Sequence, residues 1–310
     1  MIFRTFFTML CCVAAFLSFA YATPQLGNAK LKDDLDAAYN TWRLHLIRGN
    51  YDGWKATTST YRQVKVRNLA VSEKRPFPAS LFRQPMAPPA LSPLMYVGSV
   101  LDGATAAATY YGKVDLELGQ EPSDSNALVL LFTYERGKWK YDQARFFNLS
   151  RLPDVKERLK RKDTSVLIEQ DGFQPIGKIP AVPQLCPRPK YIAKILVDCP
   201  GRIVRANVNN ISMHEFDNTR QAEIISGGLK DGANSLMLNF SDSSNGKKGA
   251  ALVEVYIMPE IPGYLPARAY SYFVPAQDIP KSGPVFINVT PELLNTMIPK
   301  QSHQKVSGSK

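Results

Sequence analysis

Residues 171–189 (DGFQPIGKIPAVPQLCPRP) carry five prolines and two glycines. Each proline fixes its own φ and removes a backbone donor, so neither a helix nor an interior strand can run through the segment. The stretch reads as a stiff linker, and it divides a 310-residue chain that is already long for one core, since single cores stop growing near roughly 250–300 residues. A second run, from Pro76 to Pro93, holds six prolines and reads as an extended connection inside the first unit. The expected organisation is a leader at 1–22, a first domain at 23–170, the linker at 171–189, a second domain at 190–298 and a disordered basic tail at 299–310.

The first unit opens as a flexible lead over 23–30 and then turns helical. Leu31, Leu35, Ala38, Trp42 and the His45/Leu46 pair recur at helical spacing, with Asp33, Asp34 and Asp36 near the start, where they complement the helix dipole, and Gly49 as a stop. Short helices follow over 51–57 and 59–69. From Met95 the texture changes to strands over 95–101, 106–118, 127–135 and 138–147, separated by Asp102-Gly103, by residues 119–126 and by Arg136-Gly137. That is an antiparallel meander. Residues 152–161 read as a further helix and 166–170 as a short strand.

Two stretches carry a family resemblance. Ala38-Tyr39…Trp42…Leu46…Gly49-Asn50-Tyr51-Asp52-Gly53-Trp54 has the form of a helix, a Gly-Asn break and a short helix, and Phe132-Thr133-Tyr134-Glu135-Arg136-Gly137-Lys138-Trp139-Lys140-Tyr141 has the form of a closing hairpin. Residues 31–150 resemble the nuclear transport factor 2-like, or cystatin-like cone, superfamily. The resemblance implies a curved antiparallel sheet wrapped on helices around a pocket, lined here by Tyr39, Trp42, Trp54, Tyr110, Phe132 and Trp139. It also implies that an enzyme on this frame would place an acid or base in that pocket, and His45, Asp115 and Glu117 are the residues available. A desolvated carboxylate could serve as a general base near neutral pH. His45 adjoins the apolar stripe, where a packed, hydrogen-bonded histidine is the commoner role.

Beyond the linker, seven short strands are expected over 191–198, 202–207, 222–226, 234–240, 250–258, 269–274 and 285–289, with turns at Gly227-Gly228, 230–232, 243–246 and Pro262-Gly263. Even spacing of this kind predicts a β-sandwich. The fold class is thus α+β, a cone-like helix-plus-curved-sheet domain followed by an all-β sandwich.

The leader supplies the compartment. Arg4, an apolar run and Ala20-Tyr21-Ala22 match a secretory signal with an A-x-A cleavage site. The run of about 17 residues is shorter than the roughly 20 a spanning helix prefers, so the expected product is exported, periplasmic or extracellular, and without a membrane span. Cleavage leaves only Cys186 and Cys199, flanked by prolines, which in an exported chain read as a disulfide.

Net charge is +11 for the whole chain. Outside the cytoplasm that favours an anionic envelope polymer over nucleic acid, with Lys156 to Lys162 the densest basic run. Three histidines, no phosphate-cradling glycine loop, no G-x-S-x-G and no H-E-x-x-H give no reason to expect a metal or cofactor. The expected function is a non-enzymatic, exported two-module protein that binds or assembles at the cell envelope, with an anionic polymer or another envelope protein as partner. The alternative is a small-molecule enzyme or carrier working through the first domain's pocket.

Overall fold

A computed structural model describes residues 23–83, 87–114, 126–244 and 246–299. The leader, Asp115, Glu117 and the tail from Lys300 lie outside the described residues. The chain is a mixed helical and sheet protein with several antiparallel sheets.

Helix α1 (Ala29–Ile47) starts where the Asn28 side chain accepts from the Leu31 amide at 2.9 Å, and it buries Leu31, Leu35, Tyr39 and Trp42 along one stripe. Gly49, at φ 66°, ends it. Helix α2 (Tyr51–Thr57) is capped by Asn50, and α3 (Thr60–Ser72) by Ser59, whose Oγ accepts from the Arg62 amide at 3.0 Å. Five strands form one meander in chain order: β1 (Gln25–Leu26), β2 (Met95–Asp102), β3 (Thr105–Gly112), β4 (Asn126–Glu135) and β5 (Lys138–Asn148). The strand alternation divides β4 between two cores. Leu128, Leu130 and Phe132 pack with α1 and α2, whereas Ala127, Val129 and Leu131 pack with α4 (Pro153–Lys160) and α5 (Val166–Glu169) on the other face.

Two expectations for this half are corrected. The flexible lead contains β1, which pairs Gln25 with Leu101 and Leu26 with Val100. Residues 166–169 form one helical turn instead of a strand, because Val166 and Leu167 are both fully buried against the sheet, which successive strand residues could not do on one face.

After the linker come β6 (Ala193–Asp198), β7 (Arg202–Val208), β8 (Ser212–Asp217), β9 (Arg220–Ile224), β10 (Gly232–Asp242), β11 (Ala251–Ile257), β12 (Ala267–Val274) and β13 (Gly283–Val289), then the helical turn α6 (Pro291–Leu294). They make two antiparallel four-stranded sheets, in the orders β13-β10-β7-β8 and β12-β11-β6-β9. Buried side chains of both sheets, among them Ile195, Val204, Phe216, Leu236, Val253 and Ile287, form one cluster. The strand the sequence reading lacks is β8. Its Met213, His214 and Glu215 are weak strand formers, yet burial alternates along all six of its residues. Asn209 and Asn210, both at positive φ, supply the hairpin turn before it.

Residues 174–190 contain no helix or strand, but α3 holds them down. The Asn68 amide, 3% exposed, donates to Gln184 O at 2.8 Å and accepts from the Cys186 amide at 3.1 Å, and Arg67 donates to Cys186 O at 2.6 Å. On the same helix, Ser72 Oγ accepts from the Gly227 amide at 2.8 Å.

The expected Cys186–Cys199 bond is absent. Both are free, buried thiols, and they lie beyond opposite ends of β6. Cys186 packs beside Gly227, near the Tyr191–Leu229 bridge, and Cys199 follows the last residue of β6. A six-residue strand spans about 20 Å at roughly 3.3 Å per residue, far beyond the ~4.4–6.8 Å between Cα atoms that a disulfide tolerates.

Candidate functional site

A cavity of about 280 Å³ opens between α1, α2, α3 and β5. Each element contributes through its register. The apolar stripe of α1 presents Trp42 and Leu46, α2 presents Trp54, and α3 presents Arg62, Val66 and Leu69 at helical spacing. Phe77, the Ser80-Leu81 pair of a short 3-10 turn and Tyr141 of β5 complete the wall. The aromatic rings are in direct contact, with centroids 3.8 Å apart for Trp42 and Tyr141 and 5.9 Å apart for Tyr51 and Trp54. Burial raises the Tyr141 phenol far above its ordinary range, so it stays neutral.

Three polar groups on this wall lack close partners. Trp42 Nε1 and Ser80 Oγ are buried without a hydrogen bond, and among the described residues the Arg62 side chain makes no hydrogen bond or close ion pair, its charge acting at longer range on Asp142 and Tyr141. A buried donor left unmade costs about 1–3 kcal/mol. Arg75, by contrast, is paired with Glu73 at 2.5 Å. The wall therefore presents aromatic faces, two orphan side-chain groups and one guanidinium without a close ion pair.

Behind the wall lies a buried carboxylate. The register shift between Leu131 and Phe132 leaves Asp142 opposite no residue of β4. One of its oxygens accepts from the Ser59 hydroxyl, and the other, Oδ2, is buried without a partner. Desolvation raises its pKa against the opposing pull of Ser59, Arg62 and Lys65.

Of the residues expected to line the pocket, Trp42 and Trp54 do. Tyr39, Tyr110 and Phe132 belong to the same core but pack away from the cavity wall. Tyr39 donates to Pro89 O at 2.8 Å, Tyr110 donates to the Asp36 carboxylate, and Phe132 meets Tyr141 edge-on. Trp139 is half-buried against Tyr134. The histidine is turned elsewhere too. His45 Nδ1 lies 3.1 Å from Asn50 Nδ2, and since Asn50 Oδ1 already accepts from Gly53 N, the ring nitrogen is the acceptor. A Cβ on Gly53 would fall 2.1 Å from that ring. His45 thus fastens α2 to α1, and no carboxylate joins it on the cavity wall.

Sequence reasoning missed Arg62, Phe77, Ser80 and Tyr141. Arg62 had a legible signal, three residues past a Ser cap and in step with Val66 and Leu69. Phe77 and Ser80 had none, because they sit in the proline-rich loop, whose path no periodicity reports. The basic run is also quieter than its composition: Arg158 pairs with Asp163 at 2.8 Å and Glu169 at 2.6 Å, and Lys160 pairs with Glu157 at 2.8 Å.

Among the described residues no helix is long and apolar enough to cross a membrane, and no group of three or more His, Cys, Asp or Glu could hold a metal ion. No family model, no curated protein and no solved structure matches the chain.

Proposed function

We propose that this is an exported two-module binding protein, a cone-like α+β module joined to a β-sandwich, whose first module holds a small aromatic carboxylate. The observation that carries the reading is the pairing, on one cavity wall, of the aromatic rings of Trp42, Trp54 and Tyr141 with unpartnered Trp42 Nε1 and Ser80 Oγ and the Arg62 guanidinium, which has no close ion pair. Aromatic faces suit a flat apolar body, and a guanidinium beside them suits a carboxylate. A volume of about 280 Å³ is at the lower end of ligand pockets and excludes a polymer. The reading favours binding over catalysis, since neither His45 nor a carboxylate faces the ligand. Work at the envelope, with an anionic polymer or another envelope protein as partner, follows from the leader and the net charge of +11.

Indole-3-carboxylate and its neutral amide make the test. Titrated into the mature protein, the acid is expected to quench tryptophan fluorescence saturably, the amide to bind at least about tenfold more weakly, and Arg62→Met to erase that difference. Equal binding of acid and amide would remove Arg62 from the site, and no quenching by aromatic carboxylates would sink the binding reading. Export is checked separately by terminal sequencing of secreted protein, which should begin near Thr23.

A further inference from the structure

Adjoining the first cavity along α3 is a second, also of about 280 Å³, lined by Arg62, Lys65, Val66 and Leu69 from the helix and by Ser212, His214 and Glu223 from β8 and β9. β8 and β9 are consecutive in the chain but are edge strands of different sheets. The cavity therefore sits where the two sheets part, with α3 closing it. Burial alternates along β8, placing Ser212, His214 and Phe216 on the inner face. Ser212 Oγ is 2.7 Å from His214 Nε2, and His214 Nδ1 is 2.7 Å from Glu223 Oε2.

That connectivity fixes the protons. Glu223 is ionised, because the hydrogen bond from His214 holds its carboxyl below the usual range, with Lys65 contributing. In the neutral form of the ring, Nδ1, which faces the carboxylate, carries the proton and Nε2 accepts from the Ser212 hydroxyl. The Ser226 amide donates to Ser212 Oγ at 2.7 Å, which orients the hydroxyl and leaves one lone pair toward the cavity. The His214 ring is further held by stacking on Phe216 at 13° between planes.

We propose that Ser212, His214 and Glu223 form a nucleophile relay for acyl transfer, acting on small esters that enter the second cavity. Ser212 Oγ attacks the ester carbonyl as its proton passes to His214 Nε2, and Glu223 holds the resulting imidazolium at Nδ1. Arg62 and Lys65, which line the cavity, are the cations available to the oxyanion. His214 then returns the proton to the departing alkoxide, leaving Ser212 acylated. Water attacks the acyl-serine, giving its proton to His214, and collapse releases the carboxylic acid and restores the Ser212 hydroxyl. The sum is ester plus water to acid plus alcohol, with no other reactant. Ser212, His214 and Glu223 line only the second cavity, although Arg62, Val66 and Leu69 line both.

A fluorophosphonate probe on the whole mature protein tests this. Formation of the Oγ–P bond expels fluoride, and peptide mass spectrometry locates the adduct. Labelling is expected at Ser212, falling at least about 100-fold in His214→Gln and about tenfold in Glu223→Gln. Near-ultraviolet circular dichroism establishes that each variant keeps its fold. An unlabelled Ser212 in the wild-type protein would overturn the proposal without recourse to any variant, as would a labelling rate unchanged by a folded His214→Gln. Saturable indole-3-carboxylate binding that persists after labelling would leave the first cavity's reading standing by itself.

Discussion

The two cavities along α3 share Arg62, Val66 and Leu69, yet their polar groups are handled in opposite ways. On the first side, Trp42 Nε1, Ser80 Oγ and Asp142 Oδ2 are buried without partners. On the second, Ser212, His214 and Glu223 satisfy one another, with Ser226 and Gln221 adding donors. Unmet hydrogen bonds mark a place that gains by taking in a partner, whereas a closed chain of them fixes side chains in one orientation. Along one helix, a site built to be filled thus adjoins a site built to stay aligned.

Substitutions should break the two sides apart. Trp54→Ala empties a 2%-exposed position of the first core and is expected to cost about 3–5 kcal/mol in urea unfolding, while any Ser212 labelling persists under native conditions. Asn68→Ala removes the clamp on Gln184 and Cys186, leaving buried backbone groups unpaired for about 1–3 kcal/mol. Because α3 closes both cavities, this change should weaken the two together. A variant that altered only one would refute the shared-helix arrangement. Ser59→Ala deletes the α3 cap and the partner of Asp142, at about 1–2 kcal/mol, read as a lower denaturant midpoint.

Acid should separate the sides by sign. Asp142 has a raised folded pKa, so its burial penalty is fully present above that value and disappears as pH falls below the unfolded value of 3.8. Glu223 has a lowered one, so its contribution is present above the unfolded value of 4.5 and is lost as pH falls through the folded pKa. Compared with wild type across pH 3–7, roughly the window where carboxyls titrate, Asp142→Asn should gain most at the neutral end. Glu223→Gln should lose most there. Parallel curves for the two variants would erase the contrast.

Much of the architecture was written in local pattern. The stripe Leu31, Leu35, Tyr39, Trp42, the caps Asn28, Asn50 and Ser59, and the turns at Gly103 and Gly137 place α1 to α3 and the β2–β5 meander, because each depends on neighbours a few residues away. The same logic failed where tertiary burial overrode propensity, at β8 and at Val166–Glu169. Of the first cavity, Trp42 and Trp54 were named through the family resemblance, and Trp42 also stood in the helical stripe. Phe77, Ser80 and the bulge that buries Asp142 were not, since loop paths and register shifts follow from packing.

What the sequence determined alone is the helix-then-meander order of residues 29–148 and the predominance of strands after residue 190. Side-chain period is a property of the chain itself. Tertiary structure decided that Cys186 and Cys199 stay apart, that His45 packs on α2 instead of facing the cavity, and that Ser212 and His214 meet Glu223. Those outcomes depend on which edge strands and helix faces come together in space, and residues as distant in sequence as Arg62 and Ser212 share a wall only after the folded core has set that distance.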